Sequence, residues 1–366
     1  MDGVNELHAF TINDLQRRVG VLKTLRNPHR YAPDDIGQLA NLHRTNPYAR
    51  SDDLALILIV RNNVAVGRLH LFAARAFYGG TEHPTYWMRA FHMDDHARKV
   101  GAGASVILEA KRRCGSLVAS GAPSEGAQKL YRAAGLFELP RARRFLRFYR
   151  PHPVIEWYLK RPVITAILGE LCRPVLMLHN RLHRPRTLGN LTFQQVEKFD
   201  SQIDDFHPSH GNYFPRPAKL LNWLMTHKRL YGFLGRMGDE AVGYSLLRCD
   251  EQLGGDLSLP RLRVGVVLDW YLREDLAHGF RSLLLSAMNF FGDQQVDVIE
   301  CQVRTESEAL VCKEFGMLSK GGMRAFFRPL PGTAFDPTAE WHLTAGVADL
   351  FLEGPDRKSD ASCADT

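Results

Sequence analysis

A chain of 366 residues with a formal net charge of +7 is too long for one ordinary domain and suits two, each able to bury its own core. Its composition, 45% apolar and 24% charged without a low-complexity tract, is that of a soluble globular protein. No apolar run reaches the length of a membrane span, and MDGVNELHAFTIND lacks the apolar core of a secretory signal, so a cytoplasmic protein is expected.

In chain order, a helix is predicted from Asp14 to about Leu25, capped by Asn13 or Asp14. LALILIV (54–60), the turn Arg61-Asn62-Asn63 and VAVGRLHLF (64–72) read as a hairpin. The strand TYWMRAF (85–91) leads through DDHARKVGAGA into the helix ASVILEAKRRC (104–114). A short buried strand, SLVAS (116–120), and the helix SEGAQKLYRAAG (124–135) follow, the helix capped by Ser124 and stopped by Gly135. ARRFLRFYR closes this block as a strand-like segment. Residues 151–186 change character, with prolines bracketing VIEWYLK and VITAILGELC; they read as a helical connector that packs on one of the domains.

From Leu191 the earlier order returns. KRLYGFLGRM (228–237), AVGYSLLR (241–248) and RVGVVLDWYL (263–272) are expected strands, HGFRSLLLSAMNFF (278–291) a helix, VDVIECQV (296–303) a strand and SEALVCKEFG (307–316) a helix. Hairpin, strand, loop, helix, short strand and a helix ending in glycine thus occur twice, an internal repeat at domain scale. The expected division is 1–150, the connector 151–186, a second domain 187–353 and a disordered tail 354–366. The fold class is α/β (α+β), two tandem domains each with a mixed, mostly antiparallel sheet flanked by helices.

Chemistry concentrates between the strand TYWMRAF and the next helix. In Arg98-Lys99-Val100-Gly101-Ala102-Gly103-Ala104 two glycines can turn backbone N–H groups inward as an anion cradle, and the helix that follows adds the positive end of its dipole. Glycine-rich turns of this kind are also common packing devices. The loop resembles the pyrophosphate loop of the Gcn5-related N-acetyltransferase superfamily, Arg/Gln-x-x-Gly-x-Gly/Ala, through Arg98, Gly101 and Gly103. Further on, Ser124, Ala127, Leu130, Tyr131 and Gly135 match that family's last helix, with Leu136 where an aromatic is usual.

The resemblance implies an acyl-CoA-dependent N-acyltransferase in which an amine attacks the thioester of acetyl-CoA directly. Acetyl-CoA would be held by Arg98, Val100, Gly101, Ala102, Gly103, Ala104, Ser124 and Ala127 and by the strand around Phe91 and Met93, whose backbone would stabilise the oxyanion. Tyr131 would protonate the departing thiolate; a packing role for its ring is the bland alternative. No general base is legible among His92, Asp94, Asp95 and His96, and the glutamate often found on the preceding strand is absent from TYWMRAF.

The second half departs from the pattern. Asp275, His278 and Phe280 stand where the first half has Arg98, Gly101 and Gly103, Gly279 is one residue out of register, and Cys312 replaces Tyr131. An acid repels phosphate and a Phe side chain blocks the cradle, so this half is expected to shape the acceptor site or to dimerise. The segment EWHLTAGVADLF (340–351) resembles the closing strand of two-domain acetyltransferase-like proteins, in which motifs like Asn46-Pro47 precede the first hairpin. The six cysteines show no metal-site or disulfide spacing, and no metal is expected. The expected acceptor is a small-molecule or sugar-linked amine. A non-catalytic acyl-CoA sensor or scaffold is one competing reading. An aminoacyl-tRNA-dependent transferase is another, suited to the basic run 141–150, although no nucleic-acid motif accompanies it.

Overall fold

The computed structural model describes residues 5–25, 34–121, 123–151, 155, 156, 159, 161–183, 191–227, 229–252, 262–276 and 278–346. The first half runs β1 (Glu6–Thr11), α1 (Ile12–Thr24), α2 (Asp34–Thr45), β2 (Leu54–Arg61), β3 (Val64–Tyr78), β4 (Thr81–Met93), α3 (Asp95–Lys99) and α4 (Ala102–Arg113). It continues with β5 (Leu117–Gly121), α5 (Glu125–Ala133), β6 (Phe137–Glu138) and β7 (Ala142–Phe148). After α6 (Pro162–Leu182) come β8 (Leu191–Val196), β9 (Asn212–Tyr213), α7 (Ala218–His227), β10 (Leu230–Met237), β11 (Glu240–Gln252) and β12 (Leu262–Leu272). The described elements close with α8 (Gly279–Asp293), β13 (Val298–Val303), α9 (Glu306–Glu314), β14 (Leu318–Arg328) and β15 (Trp341–His342).

The strands join in one continuous sheet whose main path is β1-β2-β3-β4-β5-β14-β7-β13-β12-β11-β10-β8. Most neighbours are antiparallel, but β4 with β5 and β12 with β13 are parallel. The halves exchange their last long strands. β14, from the second half, lies against β5 with Phe326 opposite Ala119, while β7 pairs with β13, Phe145 opposite Cys301. The segment 141–150, expected to close the first block, therefore completes the second. Its arginines answer acids there: Arg143 meets Glu306 at 2.6 Å, Arg150 meets Asp297 at 2.6 Å and Arg144 pairs with Glu300.

Three cores follow from this layout. On one face of the first half, Ile57, Leu69, Met88, Ile107 and Tyr131 pack between the sheet and the helices α4 and α5, together with Phe326 from β14. The matching core of the second half holds Phe145 from β7 with Val267, Leu284, Phe291 and Cys312. On the opposite face a single core crosses both halves, joining Leu15, Phe72 and Trp87 to Leu221, Tyr244 and Phe327. Each exchanged phenylalanine is fully buried, so truncating either to alanine would cost about 3–5 kcal/mol and loosen the junction of the halves.

Several local expectations change. The cap of α1 is Thr11, in a capping box with Asp14, because Thr11 accepts from the Asp14 N–H and Asp14 returns a bond to the Thr11 N–H. The hairpin turn forms as read, Asn62 and Asn63 both taking positive φ. The loop after β4 contains the short helix α3. The long strand after α9 is β14, and of EWHLTAGVADLF only Trp341 and His342 pair, in parallel with Asn212 and Tyr213; residues 347–351 and the tail lie outside the described residues. Asn46 anchors the approach to β2, donating to Ala73 O at 2.8 Å and accepting from Tyr48 N–H at 3.0 Å.

Candidate active site

The sheet opens along β4. Beside β5 it pairs only from Tyr86 with Leu117 to Met88 with Ala119, so residues 89–93 run on without that neighbour. Beside β3 the register slips: His70 lies opposite Arg89 and Arg68 opposite His92, leaving Ala90 and Phe91 to share Leu69. Ala90 absorbs the extra length with φ of +52°, a conformation that costs a non-glycine residue about 1–2 kcal/mol and persists where packing enforces it. The bulge switches the facing of every later side chain. Met88 before it and Phe91 and Met93 after it consequently all face α4 and α5. The backbone is re-aimed too. Asp94 N–H donates to Val66 O on β3, and strand amides alternate sides, so the N–H groups of Phe91 and Met93 point into the opening.

The expected phosphate loop stands beside these residues. Asp94 caps α3 through the Ala97 N–H at 2.6 Å. The chain then turns at Gly101, the N-cap of α4, with φ of +76° and no side-chain cap. An α-helix leaves its first N–H groups without intrahelical acceptors, so those of Ala102 and Gly103 are available to an anion at the positive end of the dipole. Each glycine also has a folding reason. Gly101 supplies the left-handed turn, with open space where a Cβ would stand. At Gly103 a Cβ would meet Phe91 Cζ at 3.3 Å and Leu130 Cδ2 at 3.6 Å, so glycine lets α4 close on β4. Arg98 and Val100 are exposed, Ala104 is half-buried, and the Arg98 guanidinium pairs with Asp95.

Across the opening, Ser124 caps α5 by accepting from the Ala127 N–H at 3.3 Å. Ala127 and Leu130 pack against the core. Tyr131 is 5% exposed, its ring 6.1 Å from Phe91 and 5.4 Å from Phe326. Phe326 is a residue that sequence reasoning missed. It lies near 200 positions further along, on a strand whose partner only the tertiary fold decides. Arg324 of the same strand donates to Gln128 on α5 and meets Glu138 at 3.5 Å. The second half thus builds one wall of the first half's site.

The other face of β3 and β4 carries Arg68, His70, Arg89 and His92, by the alternation of side chains about Leu69, Met88, Phe91 and Met93. His43 of α2 joins them, stacked on Phe72 with ring centroids 4.1 Å apart. Burial, with Arg89 adding to it, lowers the His43 pKa to about 3. His70 is pushed well below the usual range by burial first and then by Arg68 and Arg89. Both rings are therefore neutral at pH 7. Of the four candidate bases, Asp94 is engaged as a cap and 3.7 Å from Arg61. Asp95 and His96 are exposed on α3; His92, on β4 beside the bulge, is the one at the opening.

The second half keeps the opening and fills it. β12 pairs in parallel with β13 only as far as Val267 with Cys301, and its register against β11 slips at Leu268. Trp270 stands three residues past the last parallel pair, as Phe91 does. It is 3% exposed, packs on Phe280 at 4.9 Å and lies beneath Arg304 at 5.1 Å. Asp275 is held by Arg273 at 2.7 Å, and Gly279 packs against Leu272 and Leu276. Cys312 is fully buried beside Cys301, whose thiol is pushed up by the hydrogen bond to Cys312 and by burial. On the opposite face a shallow, open hollow is lined by Tyr213, Arg216, Tyr244, Asp269, Tyr271 and His342 among others. Asp269 accepts there from Arg216 Nε at 2.9 Å, from Tyr244 at 3.3 Å and from the Thr344 hydroxyl. The Arg216 guanidinium lies 5.4 Å from the ring of Trp87 on β4, which joins the hollow to the first half.

No protein-family model and no curated protein sequence matches the chain. Solved structures do. A GCN5-related N-acetyltransferase from Anabaena variabilis is similar over 89% of this chain and 73% of its own, at 14% identity and a TM-score of 0.53. A putative acetyltransferase from Pyrococcus horikoshii is similar over 94% and 95%, at 12% identity and a TM-score of 0.51. N-myristoyltransferase of Saccharomyces cerevisiae with bound myristoyl-CoA is similar over 95% and 90%, at 9% identity and a TM-score of 0.55. With the bulged, splayed strand occurring in each half, these likenesses establish that the chain has the GCN5-related N-acetyltransferase fold in tandem.

Proposed function

We propose that the chain is an acyl-CoA-dependent N-acyltransferase that moves an acetyl group from acetyl-CoA to a primary amine, with its site in the first half. The observation that carries this reading is the opening beside β4, where residues 89–93 run on without β5 and Phe91 lies beside Gly103 in the first turn of α4 and 6.1 Å from the ring of Tyr131. The pyrophosphate of acetyl-CoA would rest on the N–H groups of Ala102 and Gly103, with Arg98 leaving Asp95 to meet it. The thioester carbonyl would accept from the strand amides. Attack by the neutral amine forms the C–N bond and a tetrahedral oxyanion held by those amides. Collapse breaks the C–S bond, the thiolate takes the proton of Tyr131, and the proton shed by the amine nitrogen passes to water, from which Tyr131 is reprotonated.

The bulk of Phe91, Met93 and Phe326 around the opening favours a short acyl group. The amine would approach from the opposite face, past His92 or through the hollow beside Trp87, which suits a small-molecule or sugar-linked amine. A tRNA donor is disfavoured because four of the five arginines of 141–150 are paired with acids, Arg143, Arg144 and Arg150 with those of the second half and Arg141 with Glu138. Thiol release from acetyl-, octanoyl- and myristoyl-CoA against a panel of amines tests the reading. Acetyl turnover with at least one amine is expected. Binding without turnover of any acyl-CoA would instead make the chain a sensor, and turnover of myristoyl-CoA alone would overturn the acetyl assignment.

A further inference from the structure

α6 is amphipathic in the reverse sense. A surface helix of a globular protein turns its apolar stripe inward and its polar face to water. Here the polar side chains at the C-terminal end dock on the protein. Asn180 accepts from Arg147 Nε at 3.2 Å and donates to Phe148 O at 3.2 Å; His179 and His183 contact Gly316 O and Glu314 O at 2.9 and 3.1 Å. The apolar side faces out, with Val163, Leu171, Val175 and Leu182 between 66% and 74% exposed and Ile167 and Leu178 close behind. At 3.6 residues per turn this stripe occupies an arc of roughly 120° and runs the helix length of roughly 30 Å. Nothing of the kind was expected of the connector, which the sequence suggests packs on one of the domains.

Charge decides what the stripe meets. Arg161, Arg173 and Arg181 are exposed, Arg161 and Arg181 near the edges of the stripe, and Glu170, the one acid of the helix, lies 3.6 Å from Arg173. Lys160 precedes these residues in sequence and Arg184 and Arg186 follow. No helix among the described residues is long and apolar enough to cross a membrane. We infer that α6 seats the protein on an anionic lipid surface, lying in the plane of the interface. Its stripe enters the acyl boundary and its arginines meet lipid phosphates. A second copy of the chain would set arginines against arginines with only Glu170 to answer them.

Cosedimentation of the full chain with vesicles tests this, using phosphatidylcholine alone and phosphatidylcholine with a quarter phosphatidylglycerol. Binding to the anionic vesicles is expected, weakening as salt rises. Arg161→Ala/Arg173→Ala/Arg181→Ala should lower the affinity roughly a hundredfold, at about fivefold per arginine near the surface. Ile167→Glu/Leu171→Glu/Val175→Glu should abolish binding while leaving the melting temperature unchanged, since these side chains are exposed. Absence of wild-type binding to anionic vesicles, or equal binding by the glutamate variant, would overturn the inference. A wild-type dimer in light scattering that the glutamate variant splits, without vesicle binding, would overturn it in favour of a second copy.

Discussion

Replacing Gly101 and Gly103 by alanine, one at a time, should move stability in opposite directions although the two glycines are a residue apart. At Gly101 the backbone sits at φ +76° with open space around a would-be Cβ. Strain is then the whole native-state effect, about 1–2 kcal/mol, of which the stiffer unfolded chain returns about 0.4–1 kcal/mol. Gly103 lies inside α4 with helical backbone, where alanine gains about 1 kcal/mol over glycine. Its Cβ would sit 3.3 Å from the Phe91 ring edge, so part of that gain is lost to tightness. Gly101→Ala should lower the melting temperature by a few degrees, and Gly103→Ala should leave it unchanged or raise it. Gly103→Val pushes two further methyl groups toward Phe91 and Leu130 and should cost about 1–3 kcal/mol. Thermal denaturation reads all three, and calorimetry with acetyl-CoA reads the loop. If Gly101→Ala proves as stable as Gly103→Ala, the left-handed turn that presents the α4 amides is wrong, and the phosphate cradle goes with it.

Tyr131→Phe keeps the ring between Phe91 and Phe326, so it should lower turnover by about a hundredfold or more while leaving acetyl-CoA affinity near wild type; unchanged turnover would return Tyr131 to packing. Arg98→Ala should weaken acetyl-CoA binding, by less at high salt because the side chain is exposed. Asp95→Asn, which frees Arg98 from its ion pair, should tighten it, and a weaker-binding Asp95→Asn would show that the pair itself shapes the loop. His43 is buried and neutral with a folded pKa of about 3, below its unfolded value of about 6.5, so the unfolded state binds the extra proton. Its contribution should be constant above pH 6.5 and should cost about 1.4 kcal/mol per pH unit as pH falls toward 3. In His43→Phe that part of the acid slope should vanish in pH-dependent denaturation; an identical slope would mean that the ring is not held neutral.

The apolar runs LALILIV and VAVGRLHLF, with two asparagines between them, made the first hairpin legible because strand-length runs and turn chemistry are local. Tyr131 and Gly101 were readable for the same reason, since their motifs lie within one loop or one helix turn. The bulge at Ala90 was not, because nothing in TYWMRAF announces a positive φ at an alanine that packing alone enforces. Nor was the exchange of β7 and β14. ARRFLRFYR is a fair strand for either half, and its place is set by burial of Phe145 in the second half's core, with ion pairs to Glu300 and Glu306 more than 150 residues away. β14 was missed altogether, its pattern broken by Gly321 and Gly322 at an irregular register against β7. α2 escaped notice behind Gly37 and the polar run before it. The connector misled in another way: its apolar spacing is that of a buried helix, and only the fold shows that this face looks outward.

Whether the first half alone holds coenzyme A is decided most directly by titrating acetyl-CoA into the full chain in a calorimeter. The opening beside β4 is lined by backbone amides, whereas Trp270 and Phe280 fill its counterpart beside β12. One site per chain is expected, and essentially none in a Gly101→Val chain that still melts cooperatively. Two sites per chain, or one that survives Gly101→Val, would contradict the assignment and place an acyl-CoA site in the second half.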